Sequence, residues 1–204
     1  MARIKGSVGS KTKAAILEKA LPLIAQFGYA AVSMRMIADA VGVNAGALYN
    51  HFTSKQHILV LLMSDHMDGL LAAWGEVEIK GMTPAQTLES FVRFHIGYNI
   101  TRADDVFISF MELRSLEPDG HKQIEKKRKA YEDVVRKIIQ DGQKCGDFNV
   151  EDAHVAAMSV LGSLIGVNTW YRAKGRLSKS KIEDYYAAMS LRSVGYNAEG
   201  KAHV

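Results

Sequence analysis

The sequence predicts an all-α protein of nine helices in two parts, a small N-terminal helix-turn-helix domain over residues 1–54 and a larger helical domain over 55–204. Three observations predict it. Apolar residues recur at three- and four-residue spacing along almost the whole chain, and only 3 of the 204 residues are Pro. Ser33 to Lys55 reads as two short helices around a Gly-containing turn. The positive charge is also uneven: residues 1–60 carry 7 Lys and Arg against 2 Asp and Glu, whereas the remainder carries 19 against 20. The excess therefore sits in the part that holds the helix-turn-helix, as a phosphate-binding surface requires.

Residues 1–10 read as a flexible basic arm, because Gly and Ser resist ordering and Arg3 and Lys5 suit phosphate. Thr12 is placed to cap a first helix running to Phe27, with Ile16, Ala20, Leu23, Ile24 and Phe27 as its apolar stripe. Pro22 inside it removes a backbone donor and predicts a kink, at a cost of roughly 3 kcal/mol if uncompensated. Ser33 then caps a helix with Met36, Ile37, Ala40 and Val41 inward, Gly42 stops it, and Asn44 caps the next. In that next helix Ala45, Gly46 and Ala47 are small enough for close approach to a DNA groove. Tyr49, Asn50 and His51 bring hydrogen-bonding groups, and Lys55 follows as a cation for phosphate.

At this point the chain resembles the TetR family of transcriptional repressors. The residues that carry the resemblance are Phe27-Gly28-Tyr29, Met36-Ile37-Ala38 with Ala40, Val41-Gly42-Val43, and Leu48-Tyr49-Asn50-His51-Phe52 with Lys55. The resemblance implies a dimeric repressor on a palindromic operator. Asn44 to Ala47, Tyr49 and Asn50 would then face the groove, with Ser33, Arg35, His51 and Lys55 near phosphate.

The fourth helix is expected from Lys55 to Glu78, tethering the reading head, with Ile58, Leu59, Leu62, Met63, His66 and Leu70 inward. After the Gly81-to-Pro84 break, the fifth runs from Pro84 to Ile100 with Leu88, Phe91, Val92, His95 and Tyr98. The sixth, Asp104 to Leu116, carries Phe107, Phe110, Met111 and Arg114 on one stripe. A cation there wants an internal partner such as Glu112 or Glu132, or an anionic ligand. The seventh, His121 to Lys144, shows a solvated basic face at Lys126 to Lys129. The eighth, Val150 to Arg172, is rich in small residues. The ninth begins after Ser178 or Ser180, and residues 197–204 read as a disordered tail.

The eighth and ninth helices are expected to form the homodimer interface through Ala156, Val160, Gly162, Ser163, Ile165, Gly166, Tyr185 and Met189. The second half also looks like the TetR regulators of fatty-acid and steroid breakdown. The match lies in Glu112-Leu113-Arg114-Ser115-Leu116, Tyr131-Glu132, and Asn168-Thr169-Trp170-Tyr171-Arg172 followed by Leu177-Ser178. That likeness implies an acyl-CoA inducer. Phe91, Phe94, His95, Phe107, Phe110 and Met111 would surround it, with Arg114, Trp170 and Arg172 toward its polar end. The aromatic stripes are more often core than ligand box, and Trp170 reads equally as part of a dimer seam.

No catalytic pattern emerges. The 7 His lack zinc spacing, and there is no G-x-S-x-G and no P-loop. One cysteine, Cys145, excludes an internal disulfide and suits a reducing cytoplasm. The run Val155 to Val167 is too short to span a bilayer, and no secretory segment is evident. No cofactor or metal is expected. The reading is a regulator with DNA and a small molecule as partners. The alternatives are a drug-efflux repressor responding to aromatic or cationic compounds and, more remotely, a helical protein-binding adaptor.

Overall fold

A computed structural model describes residues 5–196, with side chains from Lys11 onward, and among them every α-helix expected from the sequence is present. The helices are Lys5–Phe27 (α1), Met34–Val41 (α2), Ala45–Tyr49 (α3), Lys55–Gly75 (α4), Pro84–Asn99 (α5), Ala103–Met111 (α6), Pro118–Lys144 (α7), Ala153–Trp170 (α8) and Lys179–Ser193 (α9). A short 3-10 turn covers Leu113–Ser115.

Several boundaries differ from expectation. Helix α1 starts at Lys5, so the second half of the supposed arm is helical. Extending an existing helix is far easier than nucleating one, and this outweighs poor formers such as Gly6 and Gly9. Residues 1–4 and the supposed tail, 197–204, lie outside the described residues. Helix α1 also continues through Pro22, which is exposed. Helix α6 stops at Met111, five residues early. Pro118 disfavours helical backbone at Glu117, and it then opens α7, where its missing donor costs nothing. Helix α8 begins only at Ala153, because Asp152 accepts hydrogen bonds from the His154 and Val155 amides at 2.7 and 3.1 Å. The Val155 and His154 bonds hold that carboxyl below its ordinary range.

The chain forms two compact units, Met1–Asp68 with Asp104–Lys127, and Gly69–Ala103 with Arg128–Val204. The N-terminal unit thus reaches beyond residue 54 and takes in α6 and the start of α7. Its core gathers Ile16, Ile24, Ile37, Leu48, Phe52, Ile58, Leu59, Met63, Ile108 and Ile124. Three positions expected inward are not: Phe27 is 51% and Met36 38% exposed, and Ala40 is exposed as well. Helix α4 contributes to both units. It is long and apolar enough to cross a membrane, but half of it is buried inside the protein, as a core helix would be.

In the second unit α5 packs against α8 and α9. Arg93 ties α5 to α9, donating to Asp184 at 2.8 Å and to Glu89 on its own helix at 2.8 Å. Those carboxylates raise its pKa. Gly97 allows the approach, since a Cβ there would lie 3.2 Å from the Lys179 ammonium. Close packing is tighter still at Gly142, where a Cβ would fall 2.0 Å from Phe148 Cδ2. Gly142→Ala is therefore expected to destabilise the protein by about 1–3 kcal/mol, lowering Tm by about 2–4 °C per kcal/mol. Calorimetry reading an unchanged Tm would show that Phe148 repacks freely.

Candidate nucleic-acid interface and ligand domain

The helix-turn-helix is set by three local devices. Ser33 accepts a hydrogen bond from the Met36 amide at 3.2 Å and so caps α2. Gly42 adopts φ 80°, and its N–H and that of Val43 close on the Ala38 carbonyl, each at 3.0 Å. Asn44 caps α3 by accepting from the Ala47 amide at 2.8 Å. Helix α3 has only five residues and cannot hold itself together. It is anchored by Leu48 and Phe52, both fully buried. Their burial turns Arg35, Asn44, Gly46, Tyr49 and Asn50 outward, with Ser33 exposed nearby and Ala45, Ala47 and His51 half-buried. The groove-facing residues predicted from the sequence thus lie together on one short stretch.

Lys55 requires a correction. It was expected to reach phosphate, but its ammonium donates to the carbonyls of Tyr29 and Val32 at 2.7 and 2.6 Å. It also sits 4.1 Å from the centre of the Tyr29 ring. Burial lowers its pKa, with Glu112 acting the other way. Two carbonyl oxygens and a ring face outcompete water locally, so the cation turns into the reading head. Tyr29 is held elsewhere too. Its N–H donates to Glu112 Oε1 at 3.0 Å, and its phenol bonds to Gln56. Burial raises the phenol's pKa, opposed by that hydrogen bond. Gln56 in turn donates to the Ser115 carbonyl at 2.7 Å and accepts from the Glu117 amide at 3.1 Å. Lys55→Ala should lose about 1.5–3 kcal/mol, the worth of hydrogen bonds to a charged group. Denaturant unfolding checks this, and an unchanged midpoint would mean that water replaces the ammonium without loss.

The residues expected around a ligand divide. In the second unit Phe91, His95 and Asn99 recur every fourth position on the buried face of α5. Phe91 packs edge-on against Trp74 at 5.1 Å and against Tyr131 at 5.4 Å. Phe94 lies 5.4 Å from Trp74. His95 Nδ1 is 2.9 Å from the Tyr131 hydroxyl, whose pKa burial pushes well up. The sequence reading missed Trp74 and Asn99. Asn99 is 3% exposed, and its Oδ1 has no hydrogen-bond partner among the described residues. Its spacing from His95 was the available signal. A cleft of about 410 Å³ opens beside Trp74, lined also by Ile79, Met82, Thr87 and Ile138, and none of the predicted ligand residues lines it.

In the first unit Phe107, Phe110 and Met111 are 40–53% exposed rather than inward. Arg114 does not share their stripe, because α6 has ended and the residue sits exposed in the 3-10 turn. Arg114 is therefore a solvated cation and needs no buried partner. Glu112, named as its partner, serves Tyr29 and accepts from the Ser115 hydroxyl at 2.6 Å. Trp170 is exposed and stacks on Tyr186 with ring centres 6.4 Å apart. Arg172 is exposed and donates to the Tyr171 carbonyl.

Of the proposed interface residues, Gly162, Ser163, Tyr185 and Met189 are exposed, and Ala156, Ile165 and Gly166 half-buried. Nothing lies within 4 Å of a Cβ built on Gly162 or Gly166. Val160 is the exception: it is 2% exposed and belongs to the protomer's own core, one helical position away from the open face.

A five-residue helix capped by Asn44, presented on a small basic head and followed by an all-helical second unit, defines a helix-turn-helix transcriptional regulator. Residues 16–62 match bacterial regulatory proteins of the tetR family, and residues 81–194 match the tetracyclin repressor-like C-terminal domain. The chain belongs to the TetR family of bacterial DNA-binding regulators. The HTH-type transcriptional repressor KstR2 of Mycobacterium tuberculosis is 26% identical over 202 residues, covering 95% of this chain and 98% of that protein. A tetR-family regulatory protein from Rhodococcus RHA1 has a structure matching at TM-score 0.86 with 27% identity, over 92% of this chain and 98% of that one. The structure of AibR in complex with isovaleryl coenzyme A and operator DNA matches at TM-score 0.78 with 28% identity, over 87% and 97%.

Proposed function

We propose that this repressor works in the cytoplasm, that its inducer is an acyl-CoA thioester, and that thioester binding frees a palindromic operator. The observation that carries the choice of ligand and DNA partner is the likeness to AibR, whose structure holds isovaleryl coenzyme A and operator DNA together; release of the operator by the thioester is our own inference and is what the assay below tests. The full-length likeness to KstR2 supports the same regulator class. The role is one of binding, not catalysis.

On the DNA side, Asn44 to Ala47, Tyr49 and Asn50 face the groove, and Ser33, Arg35 and His51 lie toward phosphate. Lys55 leaves this set because its ammonium is engaged within the head. On the ligand side, the cluster of Trp74, Phe91 and Phe94 supplies apolar surface, and His95 and Asn99 supply polar contacts. The lone Asn99 oxygen supports this, since a buried acceptor without a donor costs about 1–3 kcal/mol. Trp170 and Arg172 suit the nucleotide end, as an exposed ring and a guanidinium for phosphate. The inducer must bind the released state better than the DNA-bound state, or it shifts nothing.

The test uses an operator selected from random DNA and fluorescence anisotropy. Affinity is expected to fall roughly 10³–10⁵-fold between 50 and 200 mM salt, as for about 6–10 phosphate contacts. Acyl-CoA thioesters are expected to release the DNA, whereas free fatty acids do not. Arg172→Ala should raise the thioester concentration needed by about tenfold. If no thioester acts while an unrelated cationic or aromatic drug does, the inducer is of the drug type and the lipid reading is wrong.

Dimerisation is assigned to the open face of α8 and α9, where Gly162 and Gly166 leave room for a partner helix. Gly162→Trp should yield monomers by light scattering and lose operator binding. A variant that stays dimeric would move the interface elsewhere.

A further inference from the structure

The hold on Tyr29 comes from outside the helix-turn-helix. Tyr29 lies in the turn between α1 and α2, four residues before the Ser33 cap. Its carbonyl and ring are held by Lys55, and its phenol by Gln56, both on α4. Its N–H is held by Glu112, 83 residues away in sequence and the first residue after α6.

We propose that Glu112 is a positioning residue for operator recognition: from the end of α6 its carboxylate fixes the α1–α2 turn, and with it the placement of α2 and α3. Three features make the carboxylate a latch. Each oxygen has its own donor, the Tyr29 amide at 3.0 Å on Oε1 and the Ser115 hydroxyl at 2.6 Å on Oε2, so its orientation is set. Gly28 takes a left-handed φ of 81°, which fixes the backbone just before the Tyr29 amide that the carboxylate grips. A hydrogen bond to an ionised acceptor is also roughly twice as strong as a neutral one.

The turn it grips is short. A shift of Tyr29 reaches the α2 cap through only three intervening residues, and α2 and α3 are joined rigidly through Gly42 and Asn44. Helix α6 leads straight into the latch and presents Phe107, Phe110 and Met111 at 40–53% exposure. Anything that rotates α6 therefore pulls on the reading head. By linkage, DNA that fixes the head must stiffen the end of α6 in return.

The experiment compares full-length wild type, Glu112→Ala and Glu112→Gln on the selected operator, with no inducer needed. Glu112→Ala is expected to weaken operator binding by about tenfold. Glu112→Gln should fall between wild type and Glu112→Ala, because its amide oxygen still accepts from the Tyr29 N–H but carries no charge and leaves the Ser115 hydroxyl without its acceptor. Amide exchange at Tyr29 should quicken in Glu112→Ala while α5 is unchanged. Adding operator should slow exchange over residues 112–116 in wild type but not in Glu112→Ala. A general loss of structure would speed exchange across α1 to α4 and would not be rescued by Gln. Wild-type operator affinity in Glu112→Ala, or a Gln variant as weak as the Ala variant, overturns the proposal. If Glu112→Ala does not fold, Ser115→Ala removes the orienting hydroxyl alone. It should weaken binding about threefold, and no change would equally overturn the assignment.

Discussion

Lys55 places one ammonium on two backbone carbonyls, those of Tyr29 and Val32, and the geometry of the reading head follows from it. Helices α2 and α3 have eight and five residues. Neither is long enough to persist in water by propensity. Their placement depends on the shared core of Ile16, Ile24, Ile37, Leu48, Phe52 and Ile58, and on how the turn before α2 is tied. A charge donating to carbonyls is a strong tie where water is partly excluded. The same cation covers the Tyr29 ring, so backbone and side chain are fixed together.

The second unit solves a different problem. Its helices are long, and close approach is its limiting condition. Gly97 lets α9 approach α5, and Gly142 makes room for the Phe148 ring. Arg93 then spans α5 and α9 with two carboxylates, a more ordered arrangement than a lone surface pair. The aromatic cluster of Trp74, Phe91, Phe94 and Tyr131 fills the space left inside. It encloses polar groups, His95 and Asn99, that a purely structural core has little reason to bury.

What the sequence made legible was local chemistry. The caps at Ser33, Asn44 and Ser178, the stop at Gly42 and the start at Pro84 each depend on residues within four positions, and all stand where their residue types place them. Buried spacing on α5 was legible for the same reason. What was not legible depended on distant partners. Lys55 looks like a phosphate ligand until Tyr29 and Val32, more than twenty residues earlier, arrive beside it. Arg114 kept step with Phe107 only while α6 was assumed to continue, but α6 ends at Met111 and the next residue, Glu112, accepts from the distant Tyr29 amide. Periodicity found the apolar faces of α6 and α8 but not what lies against them. Phe107 is open, whereas Val160 is claimed by its own protomer.

The outward side of α3 has an evolutionary consequence. Tyr49 and Asn50 are exposed and contribute nothing to the core that Leu48 and Phe52 secure. Substitutions at those positions leave folding intact, so operator preference can drift independently of stability as genes are duplicated and rewired. Recognition and stability are coupled at the base of the helix, where Asn44 is both a groove-facing residue and the α3 cap and a methyl group on Gly46 would press on that cap at 3.3 Å. A lineage exploring new operators is thus free at the tip of the helix and restrained at its base, which confines inherited variation in DNA preference to the residues best placed to read bases.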